Sequence, residues 1–412
     1  METLSQGALL TKSCTSRQLL VVLHRYVGLS IAGFLFVAGL TGSILAFEPE
    51  LDAMMNPGLF RAVSAPSSPL LSLGELVERV EQSDERLRVT AALLAIERSQ
   101  SVLLWVEPRT PVGSLGFDQL FVDPASAQPL GHRQWGACCF DRKQFIPFVY
   151  QVHMTLFLPA GAGALLMGGV AIAWLFDSIV GLMLAWPRSR TAGHGWSRVL
   201  RFKRGSRGFR AMFDLHRLAG LWPWPLLIAS AITGISLNLR EQIMQPLVEA
   251  ISPLSPGPLD DPVGPDRPAP ALSFDLAAER ALASIKKQHV RPAVVYATHQ
   301  APLGLYGFAI SEPVGNPRNG LGPSWVYVDD QSGSVRHRQI MGEGSGGDVF
   351  FQAQLPLHSG RIAGTAGRAV TAFYGIAVAL LSLTGVYVWW RKRSARAQHR
   401  RKVAAGAIGP GR

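Results

Sequence analysis

Charge is scarce in this chain. Of 412 residues only 17% are charged, while 48% are hydrophobic. That balance excludes a disordered, solvating polymer and fits a membrane class. Acids are scarcer than bases, 28 against 40. Residues 188–210 contain no acid at all, yet carry eight basic residues from Arg188 and Arg190 to Arg207 and Arg210. A second basic cluster, Arg391 to Lys402, is equally free of acids. Both clusters abut apolar runs, the distribution expected of cytoplasmic segments flanking membrane spans. Anionic lipid accounts for the net charge of +12, and no nucleic-acid partner is expected.

Cysteine is nearly absent. Cys14, Cys138 and Cys139 are too few for a disulfide framework, and the adjacent pair is poorly placed to bridge, so no bridge is expected. No Rossmann dinucleotide-binding unit, P-loop, CxxC or HExxH pattern is read in the chain, so no nicotinamide or flavin is expected to be bound by this chain alone. The first apolar run lacks a clear small-residue cleavage site and is too long for a signal-peptide core, so a retained anchor is expected.

Apolar runs are present at about 19–47, 162–186, 213–238 and 368–390, each long enough for a span. Leu23-His24-Arg25-Tyr26-Val27-Gly28-Leu29 opens the first. Leu215-His216-Arg217-Leu218-Ala219-Gly220-Leu221 opens the third, and each histidine is followed seventeen residues later by Thr-Gly (Thr41-Gly42, Thr233-Gly234). Between the spans, a Pro-rich linker leads twice into a helical pattern (72–86, 274–287) and then strand-like stretches (101–107 and 119–122; 293–298, 305–310 and 325–328). Leu276, Ala277, Ala281 and Leu282 mark the apolar face of the second helix. Val122-Asp123-Pro124-Ala125-Ser126 answers Val328-Asp329-Asp330-Gln331-Ser332, and Ser178-x-x-Gly181 answers Ser382-x-x-Gly385.

A unit of helix, extracytoplasmic domain and helix is therefore expected twice, in the same orientation. The expected fold is a four-transmembrane-helix bundle of two parallel repeats, with two small α+β periplasmic domains, in a bacterial inner membrane. Its divisions are a cytoplasmic tail (1–18), first span (19–47), first periplasmic domain (48–150), lead-in and second span (151–187), and basic cytoplasmic loop (188–212). A third span (213–238), second periplasmic domain (239–357), lead-in and fourth span (358–391), and basic cytoplasmic tail (392–412) complete it.

Four of the ten histidines fall on repeat-related positions: His24 with His216 near the cytoplasmic side, His153 with His358 near the other. Paired imidazoles inside a helix bundle are what a six-coordinate b-type haem requires as axial ligands. Two b-type haems are expected, with Arg25 and Arg217 at the inner propionates and Arg361 at the outer ones. Trp174, Trp222 and Trp224 are candidates to line a route between them, whereas Trp186, Trp389 and Trp390 read as interface anchors. The remaining histidines of the domains, His132, His289, His299 and His337, read as surface or structural residues.

The His-Arg-x-x-Gly-Leu helix starts, the paired Val-Asp-x-x-Ser endings and the four spans resemble the PepSY-associated transmembrane family, and within it the inner-membrane ferrisiderophore reductases of the FoxB type. The likeness covers about residues 19–391. It implies PepSY-like periplasmic domains, histidine-held haem, and electrons passing from the cytoplasmic side to a periplasmic acceptor such as a ferric siderophore. The donor it implies is a separate flavoprotein or quinol. Alternatives are a haem subunit serving another periplasmic acceptor, and a non-enzymatic PepSY interaction module.

Overall fold

A computed structural model of the chain describes all residues except 1–2, 96, 111–112, 139–140, 188–191, 261–268, 286–290, 313–315, 317 and 408–412. Cys139, Arg188, Arg190 and His289 thus lie outside the described residues. The rest forms two compact units. One comprises Met1–Ala46, Val152–Met244 and Ala369–Arg412; the other comprises Phe47–Gln151 and Gln245–Arg368.

The first unit is helical. Three of its helices are long and apolar enough to cross a membrane: Ser16–Leu45, Ala160–Ala185 and Arg361–Arg401, the last beginning in the other unit. Helices Gly208–Leu221 and Trp224–Asn238 make a fourth span if taken together, but they are bent by 61°. The expected single helix over 213–238 is therefore broken. Pro223 and Pro225 explain why, because proline lacks the N–H and crowds the preceding turn. The first repeat has Ile31 where the second has Pro223, seven residues past the histidine, and its helix runs straight through. The basic tail is helical as well, continuing the last span to Ala407.

Helix packing in this unit depends on small residues. Gly39 crosses Gly375 so closely that a Cβ on Gly39 would stand 2.5 Å from the Gly375 carbonyl oxygen. Nearby, Ser43 Oγ donates to the Ala372 carbonyl at 2.8 Å. Ile31, Leu35, Val170, Leu227 and Val378, drawn from all four spans, form a buried apolar cluster.

The second unit departs from the expectation of two separate domains. Its strands are β1 (Leu87–Leu93), β2 (Val102–Pro108), β3 (Gln119–Val122), β4 (Pro129–Arg133), β5 (Ala293–Gln300), β6 (Leu305–Ser311), β7 (Ser324–Asp329) and β8 (Val335–Gln339). All belong to one antiparallel sheet of order β4-β3-β2-β1-β5-β6-β7-β8. Each half alone would leave β1 or β5 as an open edge. Instead they pair, Ala91 opposite Thr298 and Leu93 opposite Tyr296, and no edge is left in the middle.

A helix from each half packs on this sheet. Helix Leu73–Ser83 starts at a capping box made by Ser72 and Glu75 and buries Leu76, Val77 and Val80. Helix Phe274–Ser284 buries Phe274, Ala277 and Ala281; Leu276, expected on the apolar face, is 43% exposed. These residues share one core with Leu104, Val122, Phe308 and Val328.

Duplication is visible at the level of single hydrogen bonds. Asp123 Oδ1 accepts from the backbone N–H groups of Ala125 and Ser126 and from Ser126 Oγ. Asp329 Oδ1 accepts from Gln331, Ser332 and Ser332 Oγ in the same way. Four residues on, Ala127 (φ 62°) and Gly333 (φ 70°) share the left-handed conformation that closes the turn.

Candidate functional site

His24 lies in the first span and His216 in the helix that leads into the third. Their rings face each other with centroids 6.3 Å apart and planes at 56°. Each Nδ1 is engaged. His24 Nδ1 donates to Asp177 Oδ1 at 2.9 Å. His216 Nδ1 donates to the Leu381 carbonyl at 3.1 Å and reaches Thr384 Oγ1 at 3.2 Å. Because a carbonyl only accepts, His216 carries its proton on Nδ1, which leaves Nε2 as the basic nitrogen; the Asp177 carboxylate selects the same tautomer in His24.

Glycines explain the motifs. Gly181 and Gly385 stand beside the imidazoles, where a Cβ would lie 3.4 Å from His24 Cε1 and 3.1 Å from His216 Cε1. Gly28 and Gly220, one turn beyond each histidine, face Asp177 and Leu381 respectively. The His-Arg-x-x-Gly start and the Ser-x-x-Gly segment are thus two halves of one clamp, built twice.

The two imidazoles open on a cavity of about 420 Å³, lined by apolar side chains from all four spans and by Trp174, Trp224 and Trp389. That volume lies in the range of cofactor pockets, ~300–1,000 Å³. Arg17, Arg25, Arg217 and Lys392 also line it. Arg217 pairs with the fully buried Asp214 at 3.1 Å, but its Nε is buried with no partner among the described residues. A buried donor in that state calls for an anionic or carbonyl acceptor.

These residues fit a bis-imidazole haem. Metal–nitrogen bonds of ~2 Å on opposite sides of one iron set two imidazole centres about 6 Å apart. Nδ1–H groups held by protein acceptors are the usual support of a metal-bound histidine. The spare Arg217 Nε and the neighbouring cations suit propionate groups. No cluster of three or more His, Cys, Asp or Glu is placed to hold a bare metal ion among the described residues, whereas a haem needs only two protein ligands.

The other sequence-derived positions are distributed as follows. His153 belongs to the helical unit, and its Nδ1 donates to Thr41 Oγ1 at 2.9 Å, while that hydroxyl gives its own proton to the Val37 carbonyl. Gly42 makes room beside it, its Cβ position being 3.1 Å from His153 Cε1. The Thr-Gly motif of the first repeat is thereby accounted for. His358 belongs to the other unit, at the end of helix Gly346–His358, where burial pushes its pKa below the ordinary value. Arg361 lies 3.7 Å from Glu48. Trp222 is 68% exposed and lines no part of the cavity, contrary to the expectation for it, because the bend at Pro223 turns it outward. Trp389 lines the cavity instead of serving only as an anchor.

Asp177 was not legible as a site residue. It is the only charged residue in Ala160–Ala185, and an acid in an apolar span was the signal that could have found it. Cys138 is disulfide-bonded, against the expectation of no bridge.

Apolar spans, a sheet unit and a cavity lined by paired histidines together define a membrane protein with a candidate cofactor site among its helices. The chain belongs to the family of the PepSY-associated TM region, whose pattern matches residues 21–392 and so takes in both repeats. No curated protein matches the chain.

Proposed function

We propose that the chain is a di-haem b-type transmembrane electron-transfer protein that reduces a ferric siderophore and releases Fe(II). In this reading it is a four-span, two-repeat protein of a bacterial inner membrane. Its basic segments are cytoplasmic and its sheet unit, of PepSY type, is periplasmic. The observation that carries the proposal is the His24–His216 pair: two anchored imidazoles at a separation that suits one iron, over a cavity of cofactor size.

Haem, when bound, supplies a one-electron Fe(III)/Fe(II) couple. The chain's own residues do the rest. His24 and His216 would hold the haem iron through Nε2, their rings kept in place by Asp177, Leu381 and Thr384. Arg25 and Arg217, which line the cavity, would bind the propionates. The walls are mostly apolar, and a one-electron transfer needs no proton donor. His153 and His358 are proposed as ligands of the second haem on the strength of the repeat alone. Electrons would come from a flavoprotein or quinol. Siderophores hold Fe(III) through hard oxygen ligands that bind Fe(II) much less tightly, so one electron per iron releases the metal without breaking the carrier.

The test is to mix the reduced protein with a panel of ferric siderophores in the presence of an Fe(II) trap. Haem reoxidation with one Fe(II) trapped per electron is expected. Haem that stays reduced against every carrier would remove the substrate assignment and leave the haem assignment standing.

A further inference from the structure

We infer that Asp177 tunes the inner site by making its two axial imidazoles chemically unequal, His24 the stronger electron donor and His216 the weaker. The inference rests on the haem reading given above.

The two repeats supply an internal control. Ser178-x-x-Gly181 aligns with Ser382-x-x-Gly385, so Asp177 and Leu381 hold the same repeat position. Each accepts a hydrogen bond from Nδ1 of its own repeat's histidine, Asp177 through a carboxylate and Leu381 through its backbone carbonyl. The surroundings match. A Cβ on Gly28 would stand 3.3 Å from Asp177 Oδ2, and one on Gly220 would stand 3.6 Å from Leu381 Cδ1. On the Leu381 side a backbone carbonyl, with Thr384 Oγ1 at 3.2 Å, orients the ring without any charged partner. A carboxylate at this position therefore exceeds what orientation requires.

That excess is expensive. Asp177 is 9% exposed, and His24 is the only described residue recorded as its hydrogen-bonding or ionic partner. Among the described residues no arginine or lysine is paired with it, although an intramembrane acid ordinarily pairs or functions. What a carboxylate adds over a carbonyl is electron density: a charge-assisted bond from Nδ1–H raises the basicity of Nε2, the effect by which outer partners strengthen a histidine ligand. A more basic axial nitrogen favours ferric over ferrous haem, so Asp177 lowers the potential of the inner haem and makes it a better reductant. Asp177 is thus a positioning residue that acts through His24.

Potentiometric titration of the purified full-length protein, followed at the reduced haem band, tests this with wild type, Asp177→Asn, Asp177→Ala and Asp177→Glu. The inner haem is the component lost in His216→Ala. Asp177→Asn and Asp177→Ala are expected to shift it about tenfold toward the reduced form at fixed potential, ~59 mV upward for one electron. Asp177→Glu is expected to keep the wild-type potential. The oxidised-state EPR spectrum is expected to change in the Asn variant and not in the Glu variant. Loss of the inner haem in Asn with a wild-type potential in Glu also supports the assignment. A wild-type potential in Asp177→Asn overturns it, as does loss of the inner haem in both Asn and Glu, which marks a purely architectural role. Wild-type protein without haem overturns the underlying reading, and this one with it.

Discussion

Gly385 leaves His216 only the room the ring occupies: a Cβ at residue 385 would stand 3.1 Å from Cε1 of the imidazole. Its repeat partner Gly181 is looser against His24, at 3.4 Å, an ordinary contact distance. The two glycines should therefore respond differently to the same substitution. Gly385→Ala is expected to displace His216 and weaken haem binding roughly tenfold, the scale of losing a ligand's support. Gly181→Ala is expected to bind haem as the wild type does. Haem-to-protein ratios after purification measure both.

Gly39 and Gly375 mark a close backbone crossing of two helices, each Cβ position being 2.5 Å from the other's carbonyl oxygen. Backbone cannot step aside as a flexible side chain can, so the helices must part. Gly39→Ala is expected to destabilise by about 1–3 kcal/mol, seen as a lower unfolding temperature in detergent. Gly33 meets nothing within 4 Å, and Gly33→Ala is expected to leave that temperature unchanged.

Asp52 and Arg133 form a buried ion pair in the sheet unit at 2.8 Å, with side chains 3% and 2% exposed. Gln119 and the Lys143 carbonyl complete the guanidinium's partners. Asp52→Ala leaves a buried cation uncompensated and is expected to destabilise by about 3–5 kcal/mol. Arg88 pairs with Glu107 at the surface, where its removal is expected to change stability by ~0–1 kcal/mol. Denaturant unfolding of the two variants compares them directly.

Low pH should act through Asp123. Burial alone would raise its carboxyl, but bonds from the Ser64 hydroxyl and N–H and from the Ala125 and Val63 N–H groups outweigh it and hold the group well below its ordinary 3.8. A depressed folded-state value means stability that is fully present above the ordinary carboxylate range and lost as pH falls through and below it. Asp123→Asn is expected to be less stable than wild type at neutral pH, with a smaller loss on acidification. Unfolding midpoints measured from pH 6 down to about pH 3 test the sign.

Periodicity and repetition made part of this molecule legible. His24 and His216 stood out because they hold matching positions in a repeated motif, and β3 was read at its observed bounds because a short strand-like run ended in a turn motif. Long-range partners were not legible. Asp177 lies 153 residues from the imidazole it holds, and its repeat counterpart is a leucine acting through its backbone, so no side-chain pattern links them. Strand β1 escaped notice, as did its pairing with β5, about 200 residues away, which joins the two halves. The break at Pro223 was written in the chain, but the apolar run around it reads as continuous by hydropathy alone.

The account turns on one haem between His24 and His216. The direct measurement is the absorption spectrum, oxidised and dithionite-reduced, of purified wild type, His24→Ala and His216→Ala, with haem quantified per chain. A sharp reduced b-type α-band in wild type, with each variant losing the same single haem while keeping its fold, is the predicted result. A colourless wild type, or variants that keep the full haem content, would contradict it.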